Sequence, residues 1–507
     1  MKENSFKKND EITLSIEDIS DDGSGIGKSG GFIFFVKNTL PGDRIKAGVT
    51  KVMKNYGYAR VIELLQPSPG RRSARCSVSD KCGGCTLQNY DYEKQLEYKY
   101  SKVKNDLIRI GEFPTEEVGR VLHPIIGMEE PYRYRNKAQY PVRCERYGKI
   151  KAGFFAGHTH SVIESEDCVI EPKINSDILK AVTGWMEKNH ISAYDDETGK
   201  GLVRHILIRH GFTSKECQVN LIINGNKIPD EEGLILKLKE LLGDDLKSVA
   251  LCPNKRKDNV ILGDSYKTIY GEGYITDTLV GIRFKISPLS FYQVNPIQTE
   301  KLYGLAREYA GLTGSEEVLD LYCGIGTISL MLAGSAGHIT GVEIIDRAIS
   351  DARENARINN IENADFITGA AEDVIQGMVS SKSVSPDVVV VDPPRKGCAR
   401  SCIDAILTLA PERVVYVSCD PATLARDIKL FREGGYELKS ATPVDMFPHS
   451  AHVETACLLS KGDVKSQKLR VEFSLEDMDT DGFKKGATYN AIRDWIKEKY
   501  GYRVTNL

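Results

Sequence analysis

Between residues 281 and 462, short apolar runs alternate with helix-length stretches, and each run ends at a glycine, an acid or a proline. Strands that alternate with helices predict a doubly wound parallel sheet. Such a sheet binds ligands outside the carboxyl ends of its strands. The residues that follow each run are therefore the ones to read for chemistry.

Arg413-Val-Val-Tyr-Val417 reads as a short buried strand and breaks at Ser418-Cys-Asp-Pro421. Proline cannot continue a central strand, so Cys419 falls at a strand end, where a thiol is exposed enough to react. A free cysteine is more often a small buried hydrophobe, and this stretch alone leaves both roles open. Val388-Val-Val-Val-Asp392 runs into Pro393-Pro-Arg-Lys-Gly397 and brings Asp392 to the same crevice. Val318 to Thr327 reads as a strand, a glycine turn and a helix start. Glycine lets backbone approach a ligand closely there, although the full dinucleotide pattern is absent. The next strand, His338-Ile-Thr-Gly-Val-Glu343, ends in an acid, a usual partner of ribose hydroxyls. Together these two strand ends suggest an adenosyl site.

A chain of 507 residues is too long for one core. Its first half reads differently. Residues 8–66 hold about five short strands separated by turns such as Asp21-Asp-Gly-Ser-Gly-Ile-Gly27, the count of an OB-like barrel. The net charge is only −3, yet residues 37–75 carry nine Lys/Arg against two Asp/Glu. A basic barrel with aromatics suits RNA; an ordinary solvated face is the plainer reading. No apolar leader or membrane-length run is present, so a cytosolic protein is expected. The 12 cysteines are then thiols, metal ligands or catalysts rather than disulfides.

Cys76-Ser-Val-Ser-Asp-Lys-Cys-Gly-Gly-Cys85 has the spacing C-x5-C-x2-C, and its glycines let the loop curl so that Cys82 and Cys85 face one centre. Cys168, in a polar turn, is the candidate fourth ligand. Four thiolates suit zinc or an iron–sulfur cluster, and spacing does not choose between them. His158 and His160 read as polar turn residues. A polar helix is expected over 90–110. Tyr132-Arg-Tyr-Arg-Asn-Lys-Ala-Gln-Tyr140 then mixes guanidinium and rings on an expected strand, a pattern for RNA or for an aromatic ladder. Further strands near 162–170 and over 202–224 suggest a central antiparallel sheet to about residue 280.

Leu319-Asp-Leu-Tyr-Cys-Gly-Ile-Gly-Thr327 resembles the first motif of S-adenosylmethionine-dependent methyltransferases. Asp392-Pro-Pro-Arg-Lys-Gly397, Ser418-Cys-Asp-Pro421 and Phe447-Pro-His-Ser-Ala-His-Val-Glu-Thr455 resemble the RumA/TrmA family of RNA (uracil-5)-methyltransferases. The resemblance spans roughly residues 8–460. It implies a multidomain α/β protein: a TRAM-like OB barrel (1–66), a central antiparallel β-rich RNA-binding domain with an iron–sulfur loop (67–280) and a Rossmann-like methyltransferase domain (281–462). It implies S-adenosylmethionine bound by Gln293, Tyr322, Glu343 and Asp392, Cys419 as nucleophile and Glu454 as base. Cys76, Cys82, Cys85 and Cys168 match the family's [4Fe–4S] ligands. Barrel and cluster together lean toward the 23S rRNA branch (RlmD/RlmCD-like), with a monomer acting on RNA.

The chemistry needs these residue types. Carbon 5 of uracil is a poor nucleophile until a thiolate adds at carbon 6, and a base must then take the carbon-5 proton. Glu454 can serve only if its strand lies beside that of Cys419; otherwise it reads as a surface carboxylate. The target base must leave its stack. A tRNA substrate, a DNA-cytosine or small-molecule methyltransferase and a non-catalytic RNA binder are the competing readings. Residues 463–507 are an extension without an assigned role: a linker, a strand over 468–475 and an amphipathic helix over 488–500.

Overall fold

A computed structural model describes residues 6–145, 148–157, 159–164, 166–381 and 385–461. The strand and helix expected after residue 462, and His158, lie outside these residues. The described residues pack as one unit.

Strands β1 (Glu11–Ile19), β2 (Gly25–Ser29), β3 (Phe32–Val36), β4 (Arg44–Val52) and β5 (Tyr56–Gln66) close a barrel in the order β1-β2-β3-β5-β4. Alternation puts Leu14, Ile16, Phe34, Val36, Ile45, Ala47 and Val49 inside. The glycine turn expected over 21–27 is shorter than read, because β2 already begins at Gly25. A side chain at Gly25 would collide with Thr39 Oγ1, so the residue is glycine for packing. Asp43 anchors the barrel's exit: its buried carboxylate accepts from Leu40 N and Ser68 N, both 2.8 Å, and pairs with Arg71.

Helices α1 (Tyr92–Arg109) and α2 (Thr115–Val121) follow. The central part holds β6 (Lys137–Cys144), β7 (Ile150–Ala152), β8 (Phe154–Phe155), β9 (Val162–Ile163), α3 (Ile174–Lys188), β10 (Val203–His210), β11 (Cys217–Ile223), α4 (Glu231–Leu242), β12 (Leu246–Pro253) and β13 (Lys267–Gly271). Six of these strands form a sheet in the order β13-β12-β11-β10-β6-β7. The expected all-antiparallel sheet needs correction: β11 and β12 are parallel, because α4 returns the chain between them. The expected strand over 132–140 begins only at Lys137, since Arg133 sits at φ 55° and bends the chain. The run expected over 162–170 reduces to the two residues of β9.

A hairpin, β14 (Ile275–Leu279) and β15 (Ile282–Ile286), leads to α5 (Pro296–Ala310). The last sheet is built from β16 (Glu317–Leu321), α6 (Thr327–Ala333), β17 (His338–Glu343), α7 (Asp346–Ile358), β18 (Ala364–Thr368), α8 (Ala371–Ser381), β19 (Val388–Val391), α9 (Arg400–Leu409), β20 (Arg413–Ser418), α10 (Pro421–Glu433), β21 (Tyr436–Val444) and β22 (Glu454–Lys461). Its order is β18-β17-β16-β19-β20-β22-β21. The first five strands are parallel as expected; β22 and β21 are antiparallel neighbours, so the sheet is mixed. Val388 and Val390 face one core with α5 and α6, while Val389 and Val391 face the other with α9 and α10, which is why these runs are apolar at every position. The free edge of β21 is bridged by Leu122 and Ile126.

Candidate active site

The apolar runs stop where the sheet meets its crevice. After β16 the chain turns through Tyr322, Gly324 and Gly326, at φ 67°, 56° and 80°, before α6 begins. A side chain on Gly324 would meet nothing within 4 Å, so the space before this turn is open. Glu343, at the end of β17, accepts from Gly324 N at 3.2 Å and Ile345 N at 3.0 Å, which fixes the acid beside the turn. Asn136 Nδ2 holds the Gln293 carbonyl at 2.9 Å. The Gln293 side chain reaches Tyr303, whose hydroxyl is 3.3 Å from Thr327 Oγ1. Tyr322, Glu343 and Asp392 stand at or just past the carboxyl ends of β16, β17 and β19, three adjacent strands, and Asp392 lies near enough to Tyr303, the partner of Gln293, to act on its hydroxyl. The donor set and the open turn fit an adenosyl ligand. The Tyr322 ring is half-buried against Cys398 and Cys402.

Asp392 follows β19 directly. Desolvation, and then the charge of Asp320 below it, push its carboxyl up to about 7. Asp320 itself is buried and bonded to Ser329, and burial likewise holds it near 7. One strand over, Asp420 caps α10 by accepting from Ala422 N at 3.1 Å and Thr423 N at 2.9 Å, with Pro421 at the first helical position. Strand end and helix cap therefore share Ser418-Cys-Asp-Pro421, and Cys419 is left partly exposed between them. Burial, then Glu454 and Asp392, push its thiol up to about 12, while Arg395 acts the other way.

Glu454 opens β22, which lies beside β20 as the chemistry requires: Ser418 pairs with Thr455. Glu454 is buried. Desolvation and Asp392 push it up to about 8, with Arg395 opposing. A half-buried thiol, a buried carboxyl held near neutral pH and a second carboxyl thus sit on adjacent strand ends, an arrangement suited to nucleophilic addition and proton removal. Arg395 was read only as part of a motif; its opposing effect on both groups marks it as the crevice's counter-charge.

The cysteine loop lies apart from this opening. Cys85 and Cys168 pack around Met128, Tyr134 and Ile170, and Cys76 and Cys82 are near enough to raise the Cys85 thiol, which burial pushes up to about 12. Arg133 fixes the Cys168 segment: it grips Asp167 at 2.7 and 2.6 Å and the Cys168 carbonyl at 2.8 Å. The donor chemistry of four thiols is that of a thiolate-held centre, but their spacing here is not. Among the described residues, no group of three or more His, Cys, Asp or Glu is close enough to hold a metal ion. His160 pairs with Asp196 at 3.1 Å, in line with a turn residue.

Several side chains of the Tyr132–Tyr140 stretch are engaged within the protein. Arg133 is taken by Asp167, Tyr134 is buried, and the Tyr132 ring lies tilted against His449, centroids 4.6 Å apart, beneath Arg75. The barrel presents Phe35, Tyr56 and Tyr58 as a cluster 5.5–5.9 Å between rings, with Tyr58 40% exposed. Among the described residues no helix is long and apolar enough to cross a membrane.

Three comparisons relate the chain to known proteins. The family described as tRNA (Uracil-5-)-methyltransferase matches residues 208–462, and the TRAM domain matches residues 6–62. An uncharacterised RNA methyltransferase of Halalkalibacterium halodurans is 46% identical over 452 residues, covering 89% of this chain and 97% of the relative. One from Listeria monocytogenes is 45% identical, covering 90% and 99%. Among solved structures, the Pyrococcus abyssi tRNA (uracil-54, C5)-methyltransferase in complex with S-adenosyl-L-homocysteine superposes with a TM-score of 0.71 at 27% identity, over 88% of this chain and 99% of that one.

Proposed function

Because the chain belongs to the tRNA (uracil-5-)-methyltransferase family of S-adenosylmethionine-dependent RNA enzymes, we propose that it methylates carbon 5 of a uridine through a covalent adduct on Cys419. The observation that carries this reading is the shared rung of β20 and β22, which sets Cys419 and Glu454 side by side next to Asp392. Cys419 gives its proton to solvent and adds as the thiolate to carbon 6 of the flipped base, and the carbon 5–6 double bond becomes an enolate. When bound, S-adenosylmethionine supplies a methyl group on a sulfonium to carbon 5. Glu454 then takes the carbon-5 proton, the double bond re-forms, and the bond from carbon 6 to Cys419 breaks. Asp392, Glu343, Gln293 and the Tyr322 turn would hold the cofactor.

Glu454 must be ionised to take that proton, and a cation entering the crevice favours the ionised forms of Glu454, Asp392 and Cys419. The barrel and the four cysteines support 23S rRNA as the substrate, and the cysteines support a [4Fe–4S] centre, with zinc the lesser choice, that pins the loop to the central sheet. A monomer suffices, since all candidate catalytic groups lie in one chain.

The test is mass spectrometry after incubation with 5-fluorouridine-substituted 23S rRNA and tRNA fragments. Fluorine cannot leave as a proton, so the adduct is trapped. An adduct on Cys419 with 23S rRNA is expected. One with tRNA alone overturns the substrate, and none with either overturns the thiol mechanism.

A further inference from the structure

The segment between β21 and Glu454 has no regular structure, yet five consecutive carbonyl oxygens in it are each held from another element. Asp445 O accepts from Gln298 Nε2 at 3.1 Å and Met446 O from Asn295 Nδ2 at 2.9 Å, both at the start of α5. Phe447 O accepts from Lys99 Nζ of α1 at 3.0 Å. Pro448 O accepts from the Tyr134 hydroxyl at 3.1 Å, and His449 O from Leu87 N, two residues past Cys85, at 2.9 Å.

Side chains complete the clamp. Lys99 and Asp445 form an ion pair with both side chains wholly buried, and Tyr92 donates to the same carboxylate at 2.8 Å. Gln95 Oε1 accepts from His449 N at 2.9 Å, and its amide nitrogen lies 3.3 Å from His449 Nδ1. The ring is neutral, since burial pushes His449 down to about 4. His449 itself is held at φ 67°, a conformation that persists only when its surroundings over-determine it. Apolar residues of the same shape usually stabilise a fold as well as a buried ion pair does. What this cluster adds is a single geometry for the chain that ends, five residues later, in Glu454.

We propose that Gln95, Lys99 and Tyr134 are positioning residues for the general base: through the 445–449 segment they set the Glu454 carboxylate against the carbon-5 proton. The proposal rests on Glu454 acting as that base. It separates two steps. Cys419 directly follows β20 and none of the clamp's hydrogen bonds reaches it, so addition to carbon 6 stays fast when the clamp is loosened. Proton removal slows and the RNA–protein adduct accumulates.

The experiment follows single turnovers of the full chain on a mixture of 23S rRNA and tRNA transcripts carrying tritium at carbon 5 of uridine. Adduct formation is read on denaturing gels and proton removal as tritium release. Lys99→Met leaves Asp445 buried without its partner, so Tyr134→Phe and Gln95→Leu, which keep side-chain volume, carry the test. Expected is tritium release slowed about 10- to 100-fold, the scale of a misplacement near 1 Å, with adduct formation within about twofold of the parent. Equal slowing of both steps, or of neither, overturns the proposal. Glu454→Gln is the control. If it releases tritium at the parent rate, the base assignment has failed. If it accumulates adduct while Tyr134→Phe and Gln95→Leu do not, only the positioning role has failed.

Discussion

Cys419 and Glu454 extend one rung of the sheet in the same direction: Ser418 is paired with Thr455, and each of the two is the next residue toward the crevice. Because β20 and β22 run oppositely, one strand delivers its residue as it ends and the other as it begins. Thirty-five positions of sequence separate neighbours in space.

Removing the thiol should abolish turnover while leaving the fold intact. Cys419→Ala is expected to lose methyl transfer by at least about 10³-fold, the scale of deleting a covalent nucleophile. Liquid chromatography of digested RNA for 5-methyluridine measures it.

Glu454→Gln should trade activity for stability. The folded carboxyl keeps its proton up to about pH 8, whereas an unfolded glutamate loses it near 4.5. Between those values the folded state binds more protons, so this group makes stability fall as pH rises. The amide removes that penalty. Melting temperatures of variant and parent should be close at pH 5 and diverge in favour of the variant by about 2 °C or more at pH 9. A constant difference across that range would contradict a buried carboxyl.

The raised Cys419 thiol predicts sluggish alkylation of the free protein. Its rate with iodoacetamide, followed by peptide mapping, should still be climbing at about pH 10, instead of levelling near 8.5 as for a free thiol.

Asp43 should matter more than its partner. Asp43→Ala strands two backbone N–H groups and the Arg71 charge, and should cost about 3 kcal/mol. Arg71 is partly exposed, so Arg71→Ala should cost less. Urea denaturation compares the two.

The barrel's aromatic face makes a separate prediction. Tyr58→Ala should weaken RNA binding by about 1–3 kcal/mol, the scale of one lost stacked base, and leave the saturated rate unchanged. Filter binding against salt concentration, alongside kcat, checks both.

How much was legible follows from what each signal encodes. The runs at Val318, Val388 and Val414 are buried on both faces, so composition alone marks them, and the glycine, acid or proline after each marks the crevice. The place of Glu454 was conditional, because β22 inserts between β20 and β21 and no periodicity records that order. Lys99 was hidden for another reason. Gln95, Lys99, Val103 and Leu107 fall on one face of α1 at four-residue spacing, but two polar members disguise that face as solvent-exposed. The helices α3 and α4 went unread, and with α4 the parallel step of the central sheet. The intramolecular partners of Arg133 and Tyr134 were not legible, because arginine and tyrosine serve folding and nucleic acids with the same groups.

The bridges from Leu122 and Ile126 to β21 have a practical consequence for anyone cutting the chain. Residues 208–462, the span that carries the methyltransferase signature, include the edge strand β21, whose outer edge is covered by a segment far upstream. An excised fragment would expose that edge to other copies of itself, a template for aggregation. It would also strand Asp445 in the interior without Lys99. The catalytic half is not a portable module: its sheet is finished by residues laid down before it.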